Sequence, residues 1–235
     1  MSASPAATTP KLPRSFPWRL VVLVGLAVVA AIAFAKVAEE VVEGDADPMD
    51  RSISLAIHSI DTPTLDRVMA AVTRLGAAVT LVILVAVLAG YCLYRRERRL
   101  ALVLAANAAA ELLVNAVLKH IVARPRPTLF DEIKRPLSYS FPSGHSMASM
   151  AIYGTIAAIL VVRRPWWRPV AIPTAALLVL AIGFSRVYLG VHWATDVLAG
   201  FVAGSPFVIV AAHLARRAPE PAPGETARVT GPASA

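Results

Sequence analysis

The chain has 235 residues, 57% of them hydrophobic and 16% charged, with a mean hydropathy of +0.64 and a net charge of +8. Water-soluble domains carry about 25% charged residues. This composition therefore excludes both an ordinary soluble globule and a disordered chain, and it points to an integral membrane protein. A single cysteine, Cys92, excludes a disulfide framework and a Cys-based metal site.

Six apolar runs predict an all-α, polytopic bundle of six transmembrane helices. They cover residues 20–35 (extendable to 38 if Lys36 snorkels), 75–94, 100–118 with Glu111 inside, 146–162, 169–185 and 197–215. Seventeen helical residues cover about 26 Å, short of a hydrocarbon core of about 30 Å, so the fourth and fifth runs must borrow from their flanks. Pro173 and Pro206 lie inside spans, as membrane helices tolerate. The first run has a second reading as a cleaved signal peptide, because it follows basic residues and contains Ala33-Phe34-Ala35. Either reading leaves the later spans in the same orientation.

Between spans one and two, residues 44–74 read as two short amphipathic extracytoplasmic helices. Ile53, Ile57 and Ile60 recur at helical spacing, and so do Leu65, Val68, Met69 and Val72 after the start signal Thr62-Pro63. Such helices lie on the membrane surface or pack on the bundle as a connector. Residues 1–17 and 216–235 read as disordered tails around one domain, 18–215.

Charge sets the orientation. Lys11, Arg14, Arg19, Arg95, Arg96, Arg98, Arg99, Arg163, Arg164, Arg168, Arg216, Arg217 and Arg228 all fall on one side if six spans alternate. The tendency of Lys and Arg to stay inside predicts that both termini are cytoplasmic. The excess of +8 then reflects topology and attraction to anionic lipid heads, and nucleic acid is not an expected partner.

Three polar groups gather at the opposite ends of spans three to six. Lys119 is followed six residues on by Arg126-Pro127; Pro142-Ser143-Gly144-His145 precedes span four; Ser185-Arg186, His192 and Asp196 straddle the turn into span six, where Gly190 makes the reversal. Each residue type suits a phosphate ester. Arg126 and Arg186 offer planar forks for phosphate oxygens, and Lys119 adds a compact charge. Ser143-Gly144 opens a helix, where free N–H groups favour an anion. His192 and Asp196, four apart, share a helix face, so the carboxylate can hold one ring nitrogen and leave the other bare as a nucleophile. His145 suits proton transfer near a leaving oxygen. Spacing alone leaves open which histidine attacks; Asp196 favours His192. No carboxylate cluster of the two-metal kind is visible, so neither a metal nor another cofactor is expected, and the cations take over the metal's electrostatic work.

Other polar residues have two readings each. Asn107, Glu111, Asn115 and Lys119 form a stripe that either supports Lys119 through hydrogen bonds or makes a helix–helix contact unrelated to catalysis. Arg124 and the pair Lys134-Arg135 either draw in an anionic headgroup or anchor the loop. Trp193 either belongs to an interfacial aromatic belt, with Trp18, Trp166 and Trp167 at the other face, or touches substrate. His120 points about 100° away from Lys119 and reads as interfacial.

The three groups resemble, residue for residue, the tripartite signature of the type 2 phosphatidic acid phosphatase family, which shares its site with vanadium haloperoxidases and glucose 6-phosphatase. The motifs cover roughly residues 111–200. The resemblance implies a metal-independent phosphatase in which His192 forms a phosphohistidine assisted by Asp196. His145 is then acid and base, and Lys119, Arg126, Ser143, Gly144 and Arg186 cradle the phosphate. It also implies a bacterial inner-membrane enzyme acting at the outer face on a polyprenyl pyrophosphate or phospholipid. Undecaprenyl pyrophosphate stands first, and a phosphatidic acid or phosphatidylglycerol phosphate phosphatase is the alternative. The non-enzymatic alternative is a transporter or receptor for phosphate-headed lipids, which needs the cradle but has no use for His192 beside Asp196. Oligomeric state is not legible in the sequence.

Overall fold

The computed structural model describes residues 18–129 and 137–216. Nearly all of the predicted tails lies outside these residues, as does the pair Lys134-Arg135. The described residues form eight α-helices and one 3₁₀ turn, Pro165–Trp167: α1 Trp18–Glu43, α2 Asp47–His58, α3 Pro63–Leu75, α4 Ala78–Tyr94, α5 Arg98–Val122, α6 Gly144–Arg163, α7 Arg168–Tyr188 and α8 Ala194–Leu214.

Five helices are long and apolar enough to cross a bilayer, and α3 and α4, bent by 45° at their junction, make a sixth if the pair is counted as one span. The architecture is thus the expected polytopic bundle, with longer helices than the uncharged runs alone mark out. The sequence places the start of the second span at residue 75 after a separate amphipathic helix, and the structure has α3 and α4 as two helices divided by Gly76-Ala77. The physical reason is close packing: a Cβ on Gly76 would stand 2.5 Å from the Ile182 side chain and 3.4 Å from the His145 ring, so the chain turns where only glycine fits. Tyr153 of α6 ties the joint by donating to the Leu75 carbonyl at 2.9 Å.

The start of α3 follows the sequence signal, since Thr62 accepts a hydrogen bond from the Leu65 amide at 3.2 Å. Helices α2 and α3 pack on α7, and α2 also on α8, which favours the connector reading over a free surface cover. The face that α2 buries is polar, with Asp50 and Ser54 inside and Ile60, just beyond the helix, exposed.

The most extensive helix contact joins α6 to α8. Gly200 and Gly204 make it: a Cβ on Gly200 would lie 2.8 Å from the Ser143 carbonyl, and one on Gly204 2.7 Å from that of Met147. Two small residues four apart let the backbones meet, as in membrane helix pairs generally. Beside this seam, Val41 and Phe34 of α1 pack on Phe141, with ring centroids of the two phenylalanines 5.5 Å apart. Arg163 pairs with Glu97 at the end of the bundle that also gathers Arg164 and Arg216. The other end holds the three motif groups.

Candidate active site

His192 lies in the short link between α7 and α8, and Gly190, at φ +59°, makes the reversal there as expected. The imidazole is 2% exposed. Its Nδ1 stands 3.3 Å from Oδ2 of Asp196, the third residue of α8, and its Nε2 stands 3.1 Å from Nη1 of Arg126. A carboxylate on one nitrogen and a guanidinium on the other fix the tautomer: Nδ1 carries the proton and Nε2 keeps its lone pair. Burial lowers the imidazole pKa from 6.5 to about 4, against the opposing pull of the Asp196 hydrogen bond. The ring is therefore neutral at physiological pH, as a nitrogen nucleophile requires.

Asp196 is fully buried and saturated with donors. Beyond His192 it accepts from the Trp193 amide at 2.9 Å, Arg124 at 2.9 Å and the Ser140 hydroxyl. Through the Trp193 bond the Asp196 carboxylate, on the first turn of α8, reaches back to the N-cap amide of its own helix. The first turn of α6 is different. Ser143 sits at the N-cap with extended backbone, yet its side chain makes no capping bond, so the leading N–H groups of Gly144 and His145 stay open to an anion. The Ser143 hydroxyl accepts from Ser146 at 3.0 Å instead. The Ser143 amide donates to the Asp196 carbonyl at 2.9 Å, which staples the mouth of α6 to α8.

Three cations surround this point. Lys119, on the last turn of α5, donates to the Tyr139 carbonyl at 2.7 Å. Arg126 reaches His192 while donating to the Val191 carbonyl at 2.6 Å and to the Ser138 carbonyl at 2.8 Å. Arg186, 7% exposed, donates to the Thr73 hydroxyl at 2.8 Å, and its buried Nε has no hydrogen-bond partner among the described residues. Lys119, Arg126, Arg186 and His192 all lie within electrostatic reach of His145. Every site residue named from the sequence thus comes to one end of the bundle, drawn from four helices and the links between them.

The neighbouring residues divide differently from expectation. Asn107 donates to the Thr155 hydroxyl at 3.1 Å and the Phe207 carbonyl at 3.0 Å. Asn115 reaches the Met147 sulfur at 3.4 Å and lies against Gly144. Glu111 is 2% exposed in the same seam. The stripe therefore faces α6 and α8, and Lys119 is held by loop carbonyls rather than by the stripe. Arg124 is 6% exposed and bonded to carboxylates, so it is unavailable to a headgroup. Trp193 lies under that guanidinium, 5.5 Å from ring centroid to Cζ. His120 is exposed and meets the Tyr139 ring edge-on. Sequence reasoning missed Thr73, Ser140 and Asp50. The doubled Arg124-Pro125-Arg126-Pro127 was a visible signal for Arg124; nothing in spacing marks the other three.

A neutral imidazole aimed into a ring of cations, beside a second imidazole on an uncapped helix mouth, can accept a phosphoryl group and stabilise its oxygens without further charge. Comparison with known proteins puts a class on that chemistry. The chain matches the PAP2 superfamily over residues 99–220 and belongs to that family; it is a lipid phosphatase of a bacterial membrane. Among its relatives is phosphatidylglycerophosphatase B of Bacillus subtilis, 37% identical over 158 residues, which are 66% of this chain and 77% of that protein. An undecaprenyl-diphosphatase of Sulfolobus acidocaldarius is 33% identical over 118 residues, covering 48% of this chain and 54% of that one. The crystal structure of a transmembrane PAP2-type phosphatidylglycerolphosphate phosphatase from Bacillus subtilis superimposes with a TM-score of 0.73 at 33% identity, over 79% of this chain and 93% of that one. Membership of a phosphatase family sets aside the binding-only alternative.

Proposed function

We propose that the protein removes a phosphate from a membrane lipid through a phosphohistidine on His192, with no metal. The observation that carries this reading is the unprotonated Nε2 of His192, 3.1 Å from Arg126 with Asp196 behind the ring. In the first step Nε2 attacks phosphorus, the ester P–O bond breaks, and His145, entering as the imidazolium beside the bound phosphate's negative charge, gives a proton to the departing oxygen and becomes neutral. In the second, His145 takes a proton from water, whose oxygen attacks phosphorus; the P–N bond breaks and inorganic phosphate leaves. Lys119, Arg126, Arg186 and the open amides of Gly144 and His145 hold the three phosphoryl oxygens throughout, with Ser143 setting the helix mouth.

For the substrate, phosphatidylglycerol phosphate moves ahead of undecaprenyl pyrophosphate, reversing the order drawn from the motifs. A relative bearing the former name is 37% identical over 66% of this chain, whereas undecaprenyl-diphosphatases are 33% identical over 48% and 30% identical over 66%. Arginines crowd the end of the bundle opposite the site, which supports cytoplasmic termini and an extracytoplasmic active site.

The test is phosphate release from vesicles containing phosphatidylglycerol phosphate, phosphatidic acid or undecaprenyl pyrophosphate, with EDTA present. We expect release to persist in EDTA, to be fastest with the first lipid, and to vanish in His192→Ala. Labelled phosphate should stay on His192 after an alkaline detergent quench, which preserves a phosphoramidate. Turnover by His192→Ala at the wild-type rate, or label found on His145 alone, would overturn the assignment.

A further inference from the structure

We infer that Arg124 and Asp50 are positioning residues of this site: through them helix α2, which carries none of the motif residues, fixes the Asp196 carboxylate and with it the ring of His192. This assignment rests on the proposed role of His192 as nucleophile and deepens it.

The Arg124 guanidinium bridges two helices. Nη1 donates to Oδ1 of Asp196 at 2.9 Å and to the Thr195 hydroxyl at 2.8 Å, both on the first turn of α8. Nη2 donates to Oδ2 of Asp50 at 2.9 Å and to Oδ1 of Asp47 at 2.8 Å, both on α2. Asp50 itself is fully buried. It accepts from the Thr195 amide at 3.0 Å and from the Thr195 hydroxyl, so a residue 145 positions away serves as a remote cap for α8. The carboxylate of Asp196 is thereby divided: Oδ1 belongs to Arg124, and Oδ2 faces His192. Without the guanidinium, Oδ1 loses the bond that orients it, and the carboxylate is held through Oδ2 alone. It would also stand near a second buried carboxylate, Asp50, with no positive charge between them, an arrangement that drives one of the two to take up a proton. A protonated or rotated Asp196 no longer holds the Nδ1 proton, and Nε2 no longer points at phosphorus.

A purely structural role, with Arg124 merely fastening α2 to the bundle, predicts something else: fewer folded molecules, each working at full speed. Two variants separate these. Asp50→Asn/Arg124→Gln removes both buried charges together, so Asp50 is not left unpaired and only Asp196 loses its guanidinium. Arg124→Lys keeps the charge but replaces the planar fork by a point donor that cannot span both helices. Each is purified, checked for a monodisperse profile and thermal midpoint, and assayed in phosphatidylglycerol phosphate vesicles. Turnover is normalised to the amount of enzyme in the monodisperse, folded peak.

The expected result is a kcat lowered about 10- to 100-fold, the span of one charge-assisted hydrogen bond. KM should stay within about threefold, and labelling of His192 should slow in proportion. If the double variant fails to fold, Arg124→Lys alone decides by the same readouts. A normalised kcat within about threefold of wild type in whichever variant folds would overturn the inference. Failure of the wild type to label at His192 would instead refute the nucleophile assignment, so the two failures are distinguishable.

Discussion

Replacing Gly200 by alanine tests whether the separation of two helices sets the separation of two histidines. The added Cβ would stand 2.8 Å from the Ser143 carbonyl oxygen, 2.9 Å from the Ser146 Cβ and 3.0 Å from the Met147 amide nitrogen. Carbon contacts relax at about 3.5–4.0 Å, so α6 and α8 must part by about 0.5–1 Å. Two of the three clashing atoms are backbone and have no rotamer to swing away. Overpacking of this kind costs about 1–3 kcal/mol. The displacement falls on Ser143, Gly144 and His145 at one mouth and on Asp196 at the other, and it strains the amide-to-carbonyl bond of 2.9 Å between Ser143 and Asp196. A misplacement of 1 Å costs about a hundredfold in rate, so half that distance should cost roughly tenfold. Phosphate release from vesicles and a thermal unfolding scan measure the two effects together. Gly90→Ala is the control, because nothing lies within 4 Å of its added methyl; it should be neutral or slightly stabilising. An unchanged kcat in Gly200→Ala alongside a lowered midpoint would refute the link between helix spacing and chemistry.

Two further outcomes follow from the site. The His192 ring, held at about 4 against an ordinary 6.5, should stay neutral through pH 6 and titrate only near 4. The unfolded chain takes up that proton from 6.5 downward, so this residue's contribution to stability is lost as pH falls from 6.5 towards 4. Imidazole NMR resonances, assigned by their loss in His192→Gln, check the value; a midpoint near 6.5 would contradict it. Glu111→Gln should retain activity within about threefold, because the stripe faces α6 and α8 and Lys119 is held by the Tyr139 carbonyl. A loss beyond tenfold at unchanged stability would restore the supporting role for Glu111.

Much of the bundle was legible because a membrane span is written in one variable, the length of an uncharged run. What escaped has particular causes. Hydropathy places the boundary between α3 and α4 at residue 75, but it does not register that Ile182 leaves no room for a Cβ on Gly76. Helix α2 shows an isoleucine period, yet its buried face holds Asp50 and Ser54. A helix that packs by polar contact inverts the usual pattern, and only the partner, Thr195, reveals why. The candidate site was readable because each of its residues sits at a fixed spacing beside a helix end. The atoms that restrain those residues come from as far as 145 positions away and leave no local trace.

The unclosed first turn of α6 carries a thermodynamic consequence. With no side chain of its own to satisfy those amides, the helix shares its missing hydrogen bonds with whatever oxyanion occupies the mouth. Ligand affinity and conformational stability then draw on the same donors, and saturation becomes visible as resistance to heat. An oxyanion at a hundred times its dissociation constant adds about 2.7 kcal/mol to the folded state. Occupancy can therefore be followed by calorimetry in protein that turns nothing over.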